Sequence, residues 1–239
     1  MWRQMARRGV LRSLGLGEVP TETASENENE RVIRFSILLV CMLAELMLSP
    51  ILDRDATTVR TSHLLGVLIL LAALSVVGIR RGAVVLFIGA MIGQLILLRW
   101  NGPLILFGTA IVRLLFYAWV TVVIVWRVLH EPGITMDTIA GAACAYMLLG
   151  FDWMHIYVLL EYWRPGSFAI PESFMIGSDP SPALGYFSFA TLSSVGYGDI
   201  HPNDSGSGGI SAAEAVVGQL YLAIMIGRMV GLQVSRRYR

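Results

Sequence analysis

The sequence reads as an all-α integral membrane protein, for three reasons. Of its 239 residues 55% are apolar and only 15% charged, and mean hydropathy is +0.65, a composition that belongs in a bilayer rather than in water. Six apolar windows are long enough to cross a hydrocarbon core of about 30 Å, which takes roughly 20 helical residues. Between the last two windows lies a half-apolar stretch, residues 164–209, too short and too polar for another pair of spans. The net charge of +1 gives nothing that would draw nucleic acid.

Residues 1–30 carry a basic amphipathic stretch and then the acidic run "ETASENENE". They lack the apolar core of a cleavable signal peptide and read as a solvated cytoplasmic tail. The alternative is a helix lying on the inner leaflet through Trp2, Met5, Val10 and Leu14. The spans follow: Val32 to Leu52, His63 to Ile79, Gly82 to Leu98, Pro103 to Leu129, Ile134 to Trp163, and Ile210 to about Val234. Cys41 and Cys144 fall inside apolar runs and read as small buried hydrophobes, not as a disulfide or metal pair. Every basic residue is arginine. Threading the spans puts Arg3, Arg7, Arg8, Arg12, Arg31, Arg34, Arg80, Arg81, Arg127, Arg228, Arg236, Arg237 and Arg239 on one side, against Arg54, Arg60, Arg99 and Arg164 on the other. Positive charge accumulates on the cytoplasmic side, so both termini are expected there and the 164–209 segment outside.

That segment contains "SPALGYFSFATLSSVGYGD". Ser181 is placed to cap a short helix with Pro182 at its first position, and the helix is long enough to enter the membrane but not to cross it. Non-helical backbone at membrane depth is tolerated only where protein buries it or water fills the space. Glycines at alternate positions, Gly196 and Gly198, permit positive φ and so let successive carbonyls face one side. One row of carbonyls cannot surround an ion, but four copies about an axis can, replacing the hydration shell of potassium. A homotetramer is the expected consequence, with the short helix presenting the negative end of its dipole, about half an elementary charge, to a cation below.

On these residues the chain resembles the potassium-channel superfamily over residues 181–232. The resemblance rests on the re-entrant helix, on "SSVGYGD" beside the family's Thr-Val-Gly-Tyr-Gly-Asp, and on the inner helix "AEAVVGQLYLAIMIGRMVGL". It implies a six-transmembrane subunit with one pore loop: a four-helix N-terminal bundle over 31–130, then a two-helix pore unit with re-entrant pore helix and selectivity filter over 131–239. It further implies potassium sites at the carbonyls of Ser194, Val195, Gly196 and Tyr197 and the Ser194 hydroxyl, with Gly198 and Asp199 closing the outer mouth and Gly218 as the gating hinge.

The chain departs from that pattern in places. Serine stands at 194 where threonine is usual, keeping the hydroxyl but losing the stiffening β-methyl. Tyr186 and Phe187 occupy the positions where many relatives place two tryptophans behind the filter tyrosine. Ala190 stands where some relatives pair an acid with the filter aspartate. A filter prone to collapse or slow inactivation is the expectation.

The first four spans match, by position, helices that sense voltage in such channels. A sensor moves several charges, each contributing about 2.3 kcal/mol per 100 mV. The fourth span offers Arg99, Arg113 and Arg127, fourteen residues apart, so only Arg113 lies deep and voltage dependence should be weak or absent. At about 1.5 Å per residue, Glu45, Gln94 and Arg113 reach similar depths. An intramembrane polar cluster is therefore expected, with Glu45 paired to Arg113 and helped by Gln94; the alternative is that Glu45 reaches outward to the interface.

His201 stands at the outer mouth, either as a solvated loop histidine or as a pH-sensitive group. Asp152, His155 and Glu161 are expected to make interfacial or intersubunit polar contacts, and His63 and His130 sit at helix ends. No metal spacing and no nucleophile with a base is present, so no enzyme and no cofactor is expected, only K+ as permeant ion. The partners expected are three further copies and membrane lipids, with no nucleic acid and no soluble ligand-binding domain after the last span. The reading is a potassium-selective channel of the plasma (inner) membrane; a less selective cation channel and a subunit of a potassium transporter are the alternatives.

Overall fold

The computed structural model describes residues 35–48, 59–77, 81–99, 103–131, 133–174 and 180–237. The N-terminal tail and the ends of the first span lie outside them. The chain is mostly helical: α1 (Phe35–Leu48), α2 (Val59–Val77), α3 (Arg81–Arg99), α4 (Pro103–His130), α5 (Met136–Trp163), α6 (Ser181–Leu192) and α7 (Ser205–Arg237). A two-residue strand pair, β1 (Phe168–Ala169) and β2 (His201–Pro202), and a 3-10 turn at Glu172–Phe174 complete the elements among the described residues. Among the described residues, three helices are long and apolar enough to cross a membrane: Phe107–His130, Met136–Trp163 and Ser205–Val234. Each of the six expected spans coincides with a helix.

The helices form as two-faced elements. In α1, Phe35, Leu38 and Met42 are buried while Ile37, Val40 and Met47 are exposed, so one stripe meets the core and another is left for lipid. In α3 the exposed set is Val85, Ile88, Ile92 and Ile96, and the buried Ala90 lies opposite. α3 packs along α4, and α4 along α5. Phe116, Tyr117, Val120 and Ile124 of α4 share one core with Cys144, Leu148 and Phe151 of α5. Cys144 is buried and its thiol donates to the Phe35 carbonyl at 3.2 Å; both cysteines are free.

Helix ends are satisfied by local caps and by long-range donors. α5 begins with a reciprocal capping box between Thr135 and Thr138. Arg127 donates to the Val76 carbonyl at 3.0 Å, and Arg228 to the carbonyls of Leu129 and Glu131 at 3.0 and 2.6 Å. Each guanidinium thereby meets carbonyls with no partner inside their own helix and the negative end of a dipole.

Two boundaries differ from the sequence expectation. α6 is preceded by Pro180 at the N-cap, with no side-chain cap bond, so Ser181 is the first helical residue and not the cap. α7 begins at Ser205, five residues before the expected Ile210, although "SGSGG" looks like loop. Asp204 is the reason: its Oδ1 accepts from the N–H groups of Gly206 and Ser207 at 2.7 and 3.2 Å, and its own N–H donates to the Ser207 hydroxyl at 3.3 Å. A strong cap outweighs poor local propensity over one turn.

Candidate functional site

The site is built on α6 and the seven residues after it. α6 is held from behind by a buried polar cluster. The Glu214 carboxyl of α7 is fully buried; the Ser188 hydroxyl of α6 donates to its Oε1 at 2.6 Å and the Tyr157 hydroxyl of α5 to its Oε2. Ser188 also lies 2.8 Å from the Gly150 carbonyl. One side chain of α7 therefore ties α6 and α5 together inside apolar surroundings, where each unpaired polar group would be costly.

After Leu192 the chain turns back on α6. Ser193 and Ser194 donate to the carbonyls of Phe189 and Thr191 at 3.1 and 2.9 Å, and Val195 and Gly196 both donate to Ala190, at 2.9 and 3.1 Å. The backbone is left-handed at every second residue: φ is 59° at Ser194, 54° at Gly196 and 79° at Gly198. Glycine takes this conformation freely, whereas Ser194 takes it against the preference of an L side chain. All of Ser193 to Asp199 is exposed in the single chain.

Tyr186 braces this segment. Its ring stacks on Tyr197 with centroids 6.1 Å apart and planes 9° apart, and its hydroxyl donates to Asp199 Oδ2 at 2.7 Å. Asp199 is thus held by a phenol, where an acid at 190 would have been the alternative. Phe187 takes no part in this brace. Its ring is buried away from Tyr197, 5.2 Å from the Tyr157 ring and 5.4 Å from Phe168.

At the other end of the segment α7 passes very close to α6. A Cβ on Gly218 would stand 2.2 Å from the Leu192 carbonyl oxygen, so this glycine permits a close approach. The Tyr146 hydroxyl donates to the same carbonyl at 3.3 Å, and the Gln219 amide donates to the Ser194 hydroxyl at 2.9 Å.

The remaining candidates lie apart. Tyr117 stands within electrostatic reach of both Glu45 and Arg113, while the Gln94 side chain lies outside the described residues. Asp152 and His155 are buried within the chain, not at an outer interface. The Thr121 hydroxyl lies 2.9 Å from Asp152 Oδ2, and His155 meets the Tyr117 ring edge-on at 5.4 Å. They join α4 to α5 because position 152 falls on the packed face of α5, between Leu148 and His155. Glu161 accepts from the N–H groups of Gly166 and Phe168 at 2.7 and 3.1 Å, fixing the turn into β1. His201 is exposed in β2, paired with Ala169.

Asp204 carries a pH dependence. The N–H groups of Ser207 and then Gly206 hold its carboxyl below the ordinary 3.8, with Arg164 adding to the effect. A depressed folded value contributes stability that is present above the unfolded pKa and lost as pH falls through the folded one. Thermal melts of wild type and Asp204→Ala are therefore expected to differ at neutral pH and to converge under acid conditions; curves that stay parallel down to the lowest pH would contradict this.

Sequence reasoning names the 194–199 segment, and Gly218 as a hinge, but not Glu214, Gln219, Tyr146 or Tyr157. The available signal is the pair of polar residues, Glu214 and Gln219, within "AEAVVGQLYLAIM", since a polar side chain at membrane depth needs a partner.

Residues 134–232 match a family model described as an ion channel. No curated protein and no solved structure matches the chain. The match covers α5, α6, the 194–199 segment and most of α7, and it supports an ion channel rather than an enzyme.

Proposed function

We propose that this chain is one subunit of a homotetrameric, potassium-selective channel that conducts K+ passively across the plasma membrane. The observation that carries the reading is the alternation of left-handed backbone at Ser194, Gly196 and Gly198, directly after a helix of 12 residues that is too short to cross a bilayer. Such alternation brings successive carbonyls to one side. The carbonyls of Ser194, Val195, Gly196 and Tyr197, with the Ser194 hydroxyl, are then the ligands that replace potassium's water.

Exposure of that segment supports assembly. An irregular backbone cannot face lipid, so further copies must enclose it. α7 also buries only 11% of its apolar window within the chain and exposes Val216, Leu220, Ile224 and Val230, which leaves surface for neighbouring subunits. The four N-terminal helices are a scaffold resembling a degenerate voltage sensor, with both termini cytoplasmic, and Gly218 is a hinge as well as a contact. With one deep arginine per subunit, gating is weakly voltage dependent or voltage independent. The bond from Tyr186 to Asp199 counters the collapse expected from the missing acid at 190.

Purified protein in a planar bilayer under a potassium gradient is expected to give currents reversing near the potassium potential, with little change in open probability across voltage. Reversal midway between the sodium and potassium potentials would favour a less selective cation channel. A monomer by native mass spectrometry would favour a transporter subunit.

A further inference from the structure

We infer that Gln219 is a specificity-determining residue, whose amide fixes the Ser194 hydroxyl and with it the innermost ligand of the ion path. The inference rests on the channel reading above and extends it to a residue outside the filter.

Four observations converge on this pair. The Gln219 Nε2 donates to Ser194 Oγ at 2.9 Å across 25 residues of sequence. Gln219 lies in an otherwise apolar run of α7, "AVVGQLYLAIM", where an amide is costly unless it is partnered or faces water. The backbone beside it is closely packed: the neighbouring Gly218 sits so close to Leu192 that a Cβ would lie 2.2 Å from the carbonyl oxygen, and Tyr146 holds that carbonyl from α5 at 3.3 Å. The Ser194 backbone, finally, is left-handed, with φ at 59°.

The last point explains why the restraint comes from another helix. A β-branched residue would stiffen the side chain from within, but it is an outlier in the left-handed region. Serine fits that backbone and leaves its hydroxyl free to rotate. The Gln219 amide supplies from outside the restraint that a β-methyl would supply from inside.

The chemical consequence concerns ion size. A hydroxyl oxygen offers two acceptor positions; the amide occupies one, and the other is open to a cation. Four hydroxyls so held form a ring of set radius. Closing that ring on a smaller cation would stretch the bonds from all four amides, whereas a larger cation is met at the radius they impose. Without the amide, the serines turn inward and accept the smaller ion more readily.

The test is the potassium-to-sodium permeability ratio, from bi-ionic reversal potentials of the full chain in bilayers. Gln219→Leu is expected to lower the ratio about tenfold, of the order of one net hydrogen bond shared around the ring. Gln219→Asn, polar but one methylene shorter, is expected to lower it in the same direction, and it covers the case in which the leucine variant fails to assemble. Ser194→Ala is expected to lower the ratio too, with Gln219→Leu adding nothing in that background. A wild-type ratio in conducting Gln219→Asn channels, or additive effects of the two substitutions, would overturn the inference. So would a lowered melting temperature with an unchanged ratio, the mark of a merely structural glutamine. Equal permeability to both ions in the wild type is a separate outcome, and it removes the potassium-selective reading on which the inference rests.

Discussion

Replacing Glu214 with leucine is expected to lower the melting temperature of the protein in detergent sharply and to disorder the residue 194–199 segment. Leucine matches the volume of glutamate approximately, so a cavity is not the cause. The cost arises because the hydroxyls of Tyr157 and Ser188 lose their shared acceptor in a place water does not reach. Leaving a buried polar group unsatisfied costs about 1–3 kcal/mol each, although side-chain hydrogen bonds inside membrane proteins average nearer 0.6 kcal/mol. A total of about 1–3 kcal/mol is therefore expected. Ser188 retains the Gly150 carbonyl at 2.8 Å, which places the loss toward the lower end and puts most of it on Tyr157. Glu214→Gln keeps one acceptor oxygen and should recover about half. The double variant Tyr157→Phe with Glu214→Leu should then be more stable than Glu214→Leu alone, because it removes the orphan. A leucine variant that melts with the wild type would show that α6 is held by apolar packing alone.

Gly218→Ala is expected to have the second largest effect, and its form separates two roles for this residue. A hinge glycine contributes backbone freedom, and alanine in its place would change gating while leaving the resting structure as stable, or slightly more so. The geometry gives a different expectation. The added methyl would meet the Leu192 carbonyl oxygen at 2.2 Å and its carbon at 3.1 Å. Backbone cannot swing aside as a flexible side chain can, so α7 must move away from α6, at a cost of about 1–3 kcal/mol. That displacement lengthens the Gln219 bond to Ser194 and the contacts of Glu214 with Ser188. A lowered melting temperature, together with a lowered potassium-to-sodium permeability ratio, is the expected pair of results. An unchanged melting temperature with altered open probability would instead assign Gly218 to bending alone.

The helices that coincide with the expected spans, three of them, among the described residues, long and apolar enough to cross a membrane, are legible in the sequence because each is a local matter of length and apolarity. So are Ser194 to Asp199, whose residue types and spacing carry the backbone conformation themselves: the left-handed positions at Gly196 and Gly198 follow from the sequence, though the one at Ser194 does not. The start of α7 is not legible, because glycine and serine read as loop until Asp204 is seen to cap them. Adjacency groups Phe187 with Tyr186 in the sequence, yet neighbours on a helix point about 100° apart. Tyr186 faces the 194–199 segment and Phe187 the aromatic cluster with Tyr157 and Phe168. Asp152 and His155 read as residues of an outer interface and instead join α4 to α5.

The sequence by itself determined that this is a membrane protein, where its helices run, and which short segment has the backbone freedom to turn its carbonyls to one side. These are properties of single residues and of their near neighbours, and they survive without knowledge of what packs on what. Tertiary structure decided what holds that segment. Tyr186 reaches Asp199 across 13 residues, Ser188 reaches Glu214 across 26, Gln219 reaches Ser194 across 25, and Tyr157 reaches Glu214 across 57. A polar residue on an apolar helix announces that it needs a partner, because an unpaired dipole in a low dielectric is expensive. Which partner it finds depends on helix rotation and depth, and those are set only when the helices pack.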